Sequence, residues 1–126
     1  MSRAWLAAAL SAGLVLTAAG CGSGSDETAG PSEATLARGS EVYAANCASC
    51  HGANLEGTDR GPSHLSVVYE PGHHPDAAFR AAIENGAMQH HWPFGPMPPV
   101  EGLSDTDVDA VIAFIRSEQE RQGLQR

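Results

Sequence analysis

The sequence predicts an all-α domain that occupies residues 34–126. Three of its segments place apolar residues at helical spacing, which is typical of amphipathic helices. Between these segments lie two stretches rich in glycine and proline, residues 52–74 and 86–103. Loops of that length without periodicity are unusual in a compact domain unless something other than secondary structure organises them. The sequence therefore predicts three main helices and long loops held by a further component.

The first helix is predicted to run from about Ser32 to Cys47. Ser32 is a suitable N-cap, because its side chain can accept a hydrogen bond from the first helical turn. Small and apolar residues then recur at helical spacing. They are Leu36, Gly39, Val42 and Tyr43.

The second helix is predicted within 74-HPDAAFRAAIENG-86. Pro75 suits the first helical position, and Asp76 suits the positive end of the helix dipole. The pair Asn85-Gly86 is typical of a left-handed cap at a helix C-terminus. The predicted apolar side consists of Ala78, Phe79, Ala82 and Ile83.

The third helix is predicted to begin at Ser104, where 104-SDTD-107 is close to a capping box with aspartate in place of glutamate. Phe114 lies beside an apolar stripe at positions i, i+3, i+4 and i+7. That stripe consists of Val108, Val111, Ile112 and Ile115. Polar residues dominate from residue 117 to residue 126.

The first twenty residues differ in composition from the rest of the chain. Residues 1–20 carry one positive charge, at Arg3, followed by an apolar run shorter than the ~20 residues of a membrane-spanning helix. Their end, 18-AAGC-21, resembles the lipobox of bacterial lipoproteins, which implies a signal peptide and acylation of Cys21. An ordinary cleaved secretory peptide is the alternative. Residues 21–33, rich in Gly, Ser and acidic residues, are predicted to form a flexible linker after the lipidated cysteine.

The charge of the chain is strongly acidic. Without Arg3, six arginines stand against fifteen acidic side chains, which gives a formal charge of −9, and the chain has no lysine. Such a balance argues against nucleic acid as a partner. It favours a protein partner with a basic docking face, because complementary charges raise encounter rates.

The cysteine pattern 47-CASCH-51 is the signature of covalent c-type haem attachment. Cys47 and Cys50 can each add to a vinyl group of the porphyrin, and His51 then becomes the proximal iron ligand. A redox dithiol, a zinc site and a structural disulfide are the alternatives. No strand-like alternation precedes Cys47, as a thioredoxin-like dithiol would require. With Cys21 acylated, no free thiol would remain in an oxidising compartment.

The domain resembles the class I cytochromes c over nearly all of residues 34–126. The resemblance rests on a glycine and an aromatic before the haem motif, on that motif, and on the segment after it. The matching residues are Gly39, Tyr43, 51-HGANLEG-57, Gly61, Pro62, Leu65 and Phe114. It implies a cytochrome c-like fold of three main helices around one covalently bound haem c. It also implies that Phe114 packs near Gly39 and that the Pro62 carbonyl accepts a hydrogen bond from His51.

The segment 88-MQHHWPFGPMPP-99 supplies the predicted second iron ligand. The resemblance implies a methionine in a Met-Pro context before the last helix, which is the position of Met97. Neighbouring prolines restrict the backbone on both sides of this thioether, so little chain entropy is lost on binding iron. Met88 is the rival thioether, and ligation by His90 or His91 is a further alternative. The haem pocket is predicted to include Pro62, Leu65, Trp92 and Phe94.

Five histidines besides His51 are left without a predicted role, and four of them form two adjacent pairs in the long loops. The hypothesis that these four converge on a second metal ion follows from the preference of imidazole pairs for copper or zinc. Unrelated exposed histidines are the alternative that the sequence favours, so a second metal is not expected. The four residues are His73, His74, His90 and His91.

The sequence thus predicts a monohaem c-type cytochrome that carries electrons on the periplasmic or cell-surface side of a bacterial membrane, anchored there by lipid. It is not predicted to be an enzyme, although it could be a subunit of an oxidoreductase complex. Redox proteins are the predicted partners. One alternative is a haem sensor or small haem enzyme with a labile sixth ligand. The other is a metal-handling protein, for example for copper, that uses the histidine-rich loops.

Overall fold

A computed structural model describes residues 30–124 of the chain. Its helices, in chain order, are α1 (Glu33–Asn46), α2 (Ala48–His51), α3 (Asp76–Asn85) and α4 (Asp105–Arg121). A 3-10 turn, Val67–Tyr69, lies between α2 and α3. Residues 30–124 contain no β-strand beyond an isolated antiparallel bridge between Ala87 and Met97. The fold is all-α with three main helices, as predicted.

The predictions about membrane attachment fall mainly outside the described residues. The signal peptide of residues 1–20, the lipidated Cys21 and most of the linker at 21–33 precede residue 30. The described part of that linker ends in α1, which begins at Glu33, one residue before the predicted domain boundary. Among residues 30–124, no helix is both long enough and apolar enough to cross a membrane.

Side-chain caps fix the beginnings of α1 and α4. The Ser32 hydroxyl oxygen accepts a hydrogen bond from the Thr35 N–H at 3.1 Å. At α4, the Ser104 hydroxyl accepts from the Asp107 N–H at 3.2 Å, and the Asp107 carboxylate accepts from the Ser104 N–H at 3.3 Å. Both predicted caps are confirmed, including the capping box with aspartate at its third position.

Helix α3 begins one residue later than predicted. Pro75 is the N-cap and not the first helical residue, because its ψ of 166° is extended. Asp76 therefore opens the helix. Gly86 ends it with a φ of +76°, a backbone conformation that glycine adopts without a steric penalty.

Helices α1 and α4 cross at Gly39. An added Cβ at this position would lie 2.1 Å from the Ala110 carbonyl oxygen and 2.7 Å from the Phe114 Cβ. Only glycine allows the two backbones to approach this closely. The Phe114 ring also packs on the Tyr43 ring, with centroids 5.6 Å apart. The predicted packing of Phe114 near Gly39 is confirmed.

The hydrophobic core lies where α1, α3 and α4 meet. All four residues of the predicted α4 stripe are buried in it. Helix α3 contributes Phe79 and Ile83, whereas Ala78 and Ala82 of its predicted apolar side are only half-buried and face a cavity. The core cluster contains Val42, Tyr43, Cys47, Leu55, Phe79, Ile83, Val108, Val111, Ile112 and Ile115.

Polar residues near the end of α4 hold the long loop that follows α2. Gln119 is fully buried within the polar segment of the helix, and its amide donates a 2.7 Å hydrogen bond to the His64 carbonyl. Arg116 donates to the carbonyl of Tyr69 at 2.7 Å and also to that of His74. Its guanidinium lies 4.7 Å from the centroid of the Phe79 ring. The loop is therefore organised partly by hydrogen bonds from α4.

Candidate cofactor site

The haem-attachment motif lies at the turn between α1 and α2. The Cys47 N–H donates to the Tyr43 carbonyl at 2.8 Å, and the His51 N–H donates to the Cys47 carbonyl at 2.9 Å. The buried Tyr43 hydroxyl donates to the Gly52 carbonyl at 3.1 Å, which ties the end of α2 back to α1. One turn of helix thus brings Cys47, Cys50 and His51 to the same cavity.

The His51 ring is oriented by the loop that contains Pro62. The His51 Nδ1 lies 2.9 Å from the Pro62 carbonyl oxygen. Because a carbonyl can only accept, Nδ1 carries the proton and Nε2 keeps its lone pair. Burial lowers the pKa of His51, against the opposing effect of the Pro62 hydrogen bond. The ring is therefore held in the neutral form that binds a metal, with the backbone partner that the resemblance implied.

The cavity has the size and lining of a cofactor site. Its volume of about 690 Å³ falls within the ~300–1,000 Å³ range of cofactor pockets. Burial raises the pKa of Cys47 to about 11, so this thiol is uncharged. Apolar residues of α3 and α4 form the opposite wall, among them Ala82, Ile83, Val111 and Ile115. Two thiols and one imidazole on a mainly apolar wall fit a covalently attached haem.

Three of the four predicted pocket residues line this cavity. They are Pro62, Trp92 and Phe94. Trp92 is half-buried and stacks on Tyr69, with ring centroids 5.9 Å apart. Leu65 is instead placed against the hydrophobic core, and the cavity wall at this point is formed by His64. The residue that lines the cavity is thus the one immediately before the predicted Leu65.

His64 has a structural role that the sequence did not reveal. It is buried among aromatic rings, and its own ring stacks on that of His51 with centroids 4.1 Å apart. Its Nδ1 has no hydrogen-bond partner among the described residues. Burial, and secondarily the neighbouring His51, lower the pKa of His64 well below its usual value. The sequence offered one indication that His64 lies near the haem site: it is two residues after Pro62, in the segment that follows the haem motif.

The two candidate thioethers differ in exposure. Met97 is half-buried, and its backbone pairs with that of Ala87 through hydrogen bonds of 2.9 and 2.8 Å. Gly86 packs against the same backbone, because an added Cβ there would lie 2.6 Å from the Met97 carbonyl oxygen. Met88 also reaches the cavity but is 78% exposed. Met97 is thus the better held of the two.

The four loop histidines converge, which corrects the interpretation that they are unrelated. The Nε2 atoms of His73 and His91 are 3.2 Å apart, and those of His74 and His90 are 3.4 Å apart. We call these four residues the histidine cluster. It adjoins the cavity, because three of its members also line the cavity wall: His74, His90 and His91.

Comparison with known proteins decides the class. The family model of cytochrome c matches residues 36–119, which is well over half of the chain. The chain belongs to the cytochrome c family. It is 36% identical over 93 residues to cytochrome c-551 of Bacillus subtilis (strain 168), covering 74% of this chain and 71% of that protein.

Other relatives are similar at a lower level. Cytochrome c6 of Synechocystis sp. is 31% identical over 90 residues, covering 70% of this chain and 69% of that protein. The cytochrome bc1 complex cytochrome c subunit of Mycobacterium tuberculosis (strain ATCC 25618 / H37Rv) is 31% identical over 88 residues, which span 68% of this chain but 29% of that protein. No solved structure matches the chain significantly.

As a cytochrome c, the protein carries one covalent haem c and serves as a monohaem electron carrier, not as an enzyme with a substrate of its own. When bound, the haem supplies an iron that alternates between Fe(II) and Fe(III). The chain supplies two attachment thiols, a neutral imidazole and an apolar enclosure. An apolar enclosure limits the access of water to the iron and thereby helps to set the reduction potential of the haem.

Proposed function

We propose that this cytochrome c holds its iron between the imidazole of His51 and the thioether of Met97, with Cys47 and Cys50 as the attachment points. The observation that carries the proposal is the shared cavity, which is lined by all four side chains. Their positions along the chain are up to fifty residues apart, so only folding brings them together. With both axial positions filled by protein, the site suits electron transfer without a substrate.

Met97 is proposed over Met88 because its backbone is already fixed. Prolines at 96, 98 and 99 flank it, and the bridge to Ala87 holds the strand-like segment in place. A ligand held in this way loses little entropy on binding. A neutral thioether also favours reduced iron and so raises the potential.

Three cavity-lining residues are proposed to complete the haem pocket. The Pro62 carbonyl fixes the orientation of His51. Trp92 and Phe94 lie in the segment that leads to Met97, and both face the cavity. We propose that they shield one face or edge of the porphyrin from water, which favours a higher potential. Leu65 is proposed to act indirectly, through the core on which it packs.

We propose that the carrier works outside the cytoplasm, anchored by lipid at Cys21, with the residues between Cys21 and the N-cap of α1 as a tether. The tether composition, rich in Gly and Ser, supports a flexible reach between the membrane and a partner. The acidic charge supports a partner with a basic docking face. Similarity to a subunit of a bc1 complex supports a membrane-bound redox complex as that partner.

The axial ligands are tested by comparing Met97→Ala with the matched variant Met88→Ala. Absorption spectra and redox titrations of the haem-loaded proteins are recorded. We expect Met97→Ala to lose the sulfur-to-iron charge-transfer band and to have a lower potential. Met88→Ala should retain both properties, because its side chain is mostly in solvent. The reverse result would assign Met88 as the ligand, and a high-spin wild-type spectrum would favour a sensor or small haem enzyme.

The anchor and the partner are tested in cells and membranes. Cys21→Ser should move the protein from the membrane fraction to the soluble extracytoplasmic fraction. Electron transfer from a solubilised bc1-type complex should slow as ionic strength rises, because salt screens opposite charges. Membrane retention of Cys21→Ser would contradict the anchor. A rate that rises with salt would contradict the basic docking face.

A further inference from the structure

The histidine cluster joins two loops that are distant in sequence. His73 and His74 precede α3, whereas His90 and His91 follow it. One coordinating nitrogen from each of His73, His74 and His91 lies within 4.8 Å of the other two. The fourth member, His90, approaches through its Nε2, which is 3.4 Å from the Nε2 of His74. The cluster therefore has three closely grouped imidazoles and a fourth at contact distance.

The tautomers of two cluster members are fixed by the backbone. The His74 Nδ1 lies 2.6 Å from the Val68 carbonyl oxygen, and the His90 Nδ1 lies 2.8 Å from the Met88 carbonyl oxygen. Because both carbonyls can only accept, both Nδ1 atoms carry the proton in the neutral rings. The Nε2 atoms of His74 and His90, which face each other, then both carry a lone pair and can only accept a hydrogen bond. Two acceptors at 3.4 Å repel each other unless a cation lies between them.

Two of the six nitrogen–nitrogen separations among these rings match those of a tetrahedral metal site. With metal–nitrogen bonds of about 2.0–2.1 Å, two ligands of a tetrahedral zinc ion lie about 3.3–3.4 Å apart. The observed Nε2–Nε2 separations are 3.2 Å for His73 with His91 and 3.4 Å for His74 with His90. A backbone carbonyl on the opposite ring nitrogen is also the usual partner of a metal-binding imidazole.

The surrounding structure holds the cluster in position. Arg116 of α4 donates hydrogen bonds to the carbonyls of Tyr69 and His74, which fixes the first loop. Tyr69 stacks on Trp92, the residue after His91, and so links the first loop to the second. His73, His90 and His91 are exposed, so an ion can enter from solvent.

We propose that His73, His74, His90 and His91 bind one divalent first-row transition metal ion, best fitted by Zn²⁺, beside the haem cavity. The ion replaces the repulsion between facing lone pairs with metal–nitrogen bonds to the three grouped rings, and His90 completes the set by moving towards the ion from its contact with His74. It also ties the loop before α3 to the loop that leads to Met97. None of its four side chains takes part in the proposed His51–Met97 ligation, so Zn²⁺ binding and iron ligation can be tested separately.

The site is tested by isothermal titration of the haem-loaded protein with ZnCl2, and the protein is purified without a histidine tag. We expect one Zn²⁺ per chain and a rise in the thermal midpoint on binding. The double variant His73→Ala/His91→Ala should bind Zn²⁺ at least about tenfold more weakly, since it removes two of four ligands. Glu120→Gln, which changes an exposed acidic residue of α4 outside the cluster, should bind as the wild type does. Titration with CuCl2 tests whether the same residues take Cu²⁺.

Two results would overturn the proposal. One is the absence of Zn²⁺ and Cu²⁺ binding, or weak binding that the double variant leaves unchanged, as expected for adventitious surface ions. In that case a shared proton would be what joins the facing imidazoles. The other is a change in the iron absorption spectrum of the double variant, which would make a cluster histidine an iron ligand. An unchanged spectrum also shows that the variant is folded around its haem.

Discussion

The imidazole rings of His51 and His64 stack in the core, with centroids 4.1 Å apart and planes inclined by 19°. His51 is the proposed iron ligand, and His64 is buried behind it with an Nδ1 that has no partner among residues 30–124. Three more rings surround His64, from Tyr43, Tyr69 and Phe79. A polar ring thus packs among aromatic rings while also forming part of the wall of the cofactor cavity.

The variant His64→Leu is expected to be more stable than the wild type by about 1 kcal/mol. An unsatisfied buried polar group costs about 1–3 kcal/mol, and leucine avoids that cost, although its shape fits the aromatic surroundings less well. The measurement is denaturant unfolding of the haem-loaded protein. A loss of stability greater than about 1 kcal/mol would mean that His64 is hydrogen-bonded in solution.

The variant Gly39→Ala is expected to destabilise the protein by about 2–3 kcal/mol, because its Cβ would overlap the Ala110 carbonyl oxygen across the α1–α4 crossing. Ser40→Ala is the matched control, since Ser40 is exposed on the same helix and its change should stay within about 0.5 kcal/mol. Both are measured by denaturant unfolding. Equal stability of the two variants would show that the helices can separate at little cost.

The variant Arg116→Met is expected to destabilise the protein by about 2–4 kcal/mol. The Arg116 side chain is only 12% exposed, and its hydrogen bonds to the Tyr69 and His74 carbonyls would be lost. Asp76→Asn removes the ion-pair partner on the exposed side and should cost no more than about 1 kcal/mol. Thermal and denaturant unfolding compare the two. Similar losses would assign the effect to the ion pair and not to the loop carbonyls.

The capping box at the start of α4 is expected to make the stability of the protein depend on pH in the acidic range. Hydrogen bonds from Arg38 and Ser104 lower the pKa of the Asp107 carboxyl. A lowered folded-state pKa means that the stabilisation is present above the unfolded value of about 3.9 and is lost as the pH falls through the folded value. Asp107→Asn should therefore reduce stability at neutral pH and flatten its dependence on pH below about 4. Asp105→Asn, in the same helical turn but outside the capping box, serves as the control, and an identical pH profile for both variants would refute the explanation.

Local features of this fold were predictable because short-range geometry determines them. The caps at Ser32 and Ser104 and the end of α3 at Gly86 follow from side chains and backbone conformations within one turn. The spacing of Cys47, Cys50 and His51 is likewise a property of a single helical turn. Pro75 was misplaced by one residue, since a proline suits both an N-cap and the position after it.

The sequence by itself determined the cofactor class and the three main helices, and its resemblance to the class I cytochromes c implied the crossing at Gly39. The helices follow from apolar residues that recur at helical spacing, and the cofactor class follows from a motif whose spacing fits one helical turn. Only the tertiary structure decided that His64 stacks on His51, that Gln119 is buried in a polar segment, and that two histidine pairs meet. Those contacts join segments more than ten residues apart through aperiodic loops, whose paths depend on packing against α4 and not on any local preference.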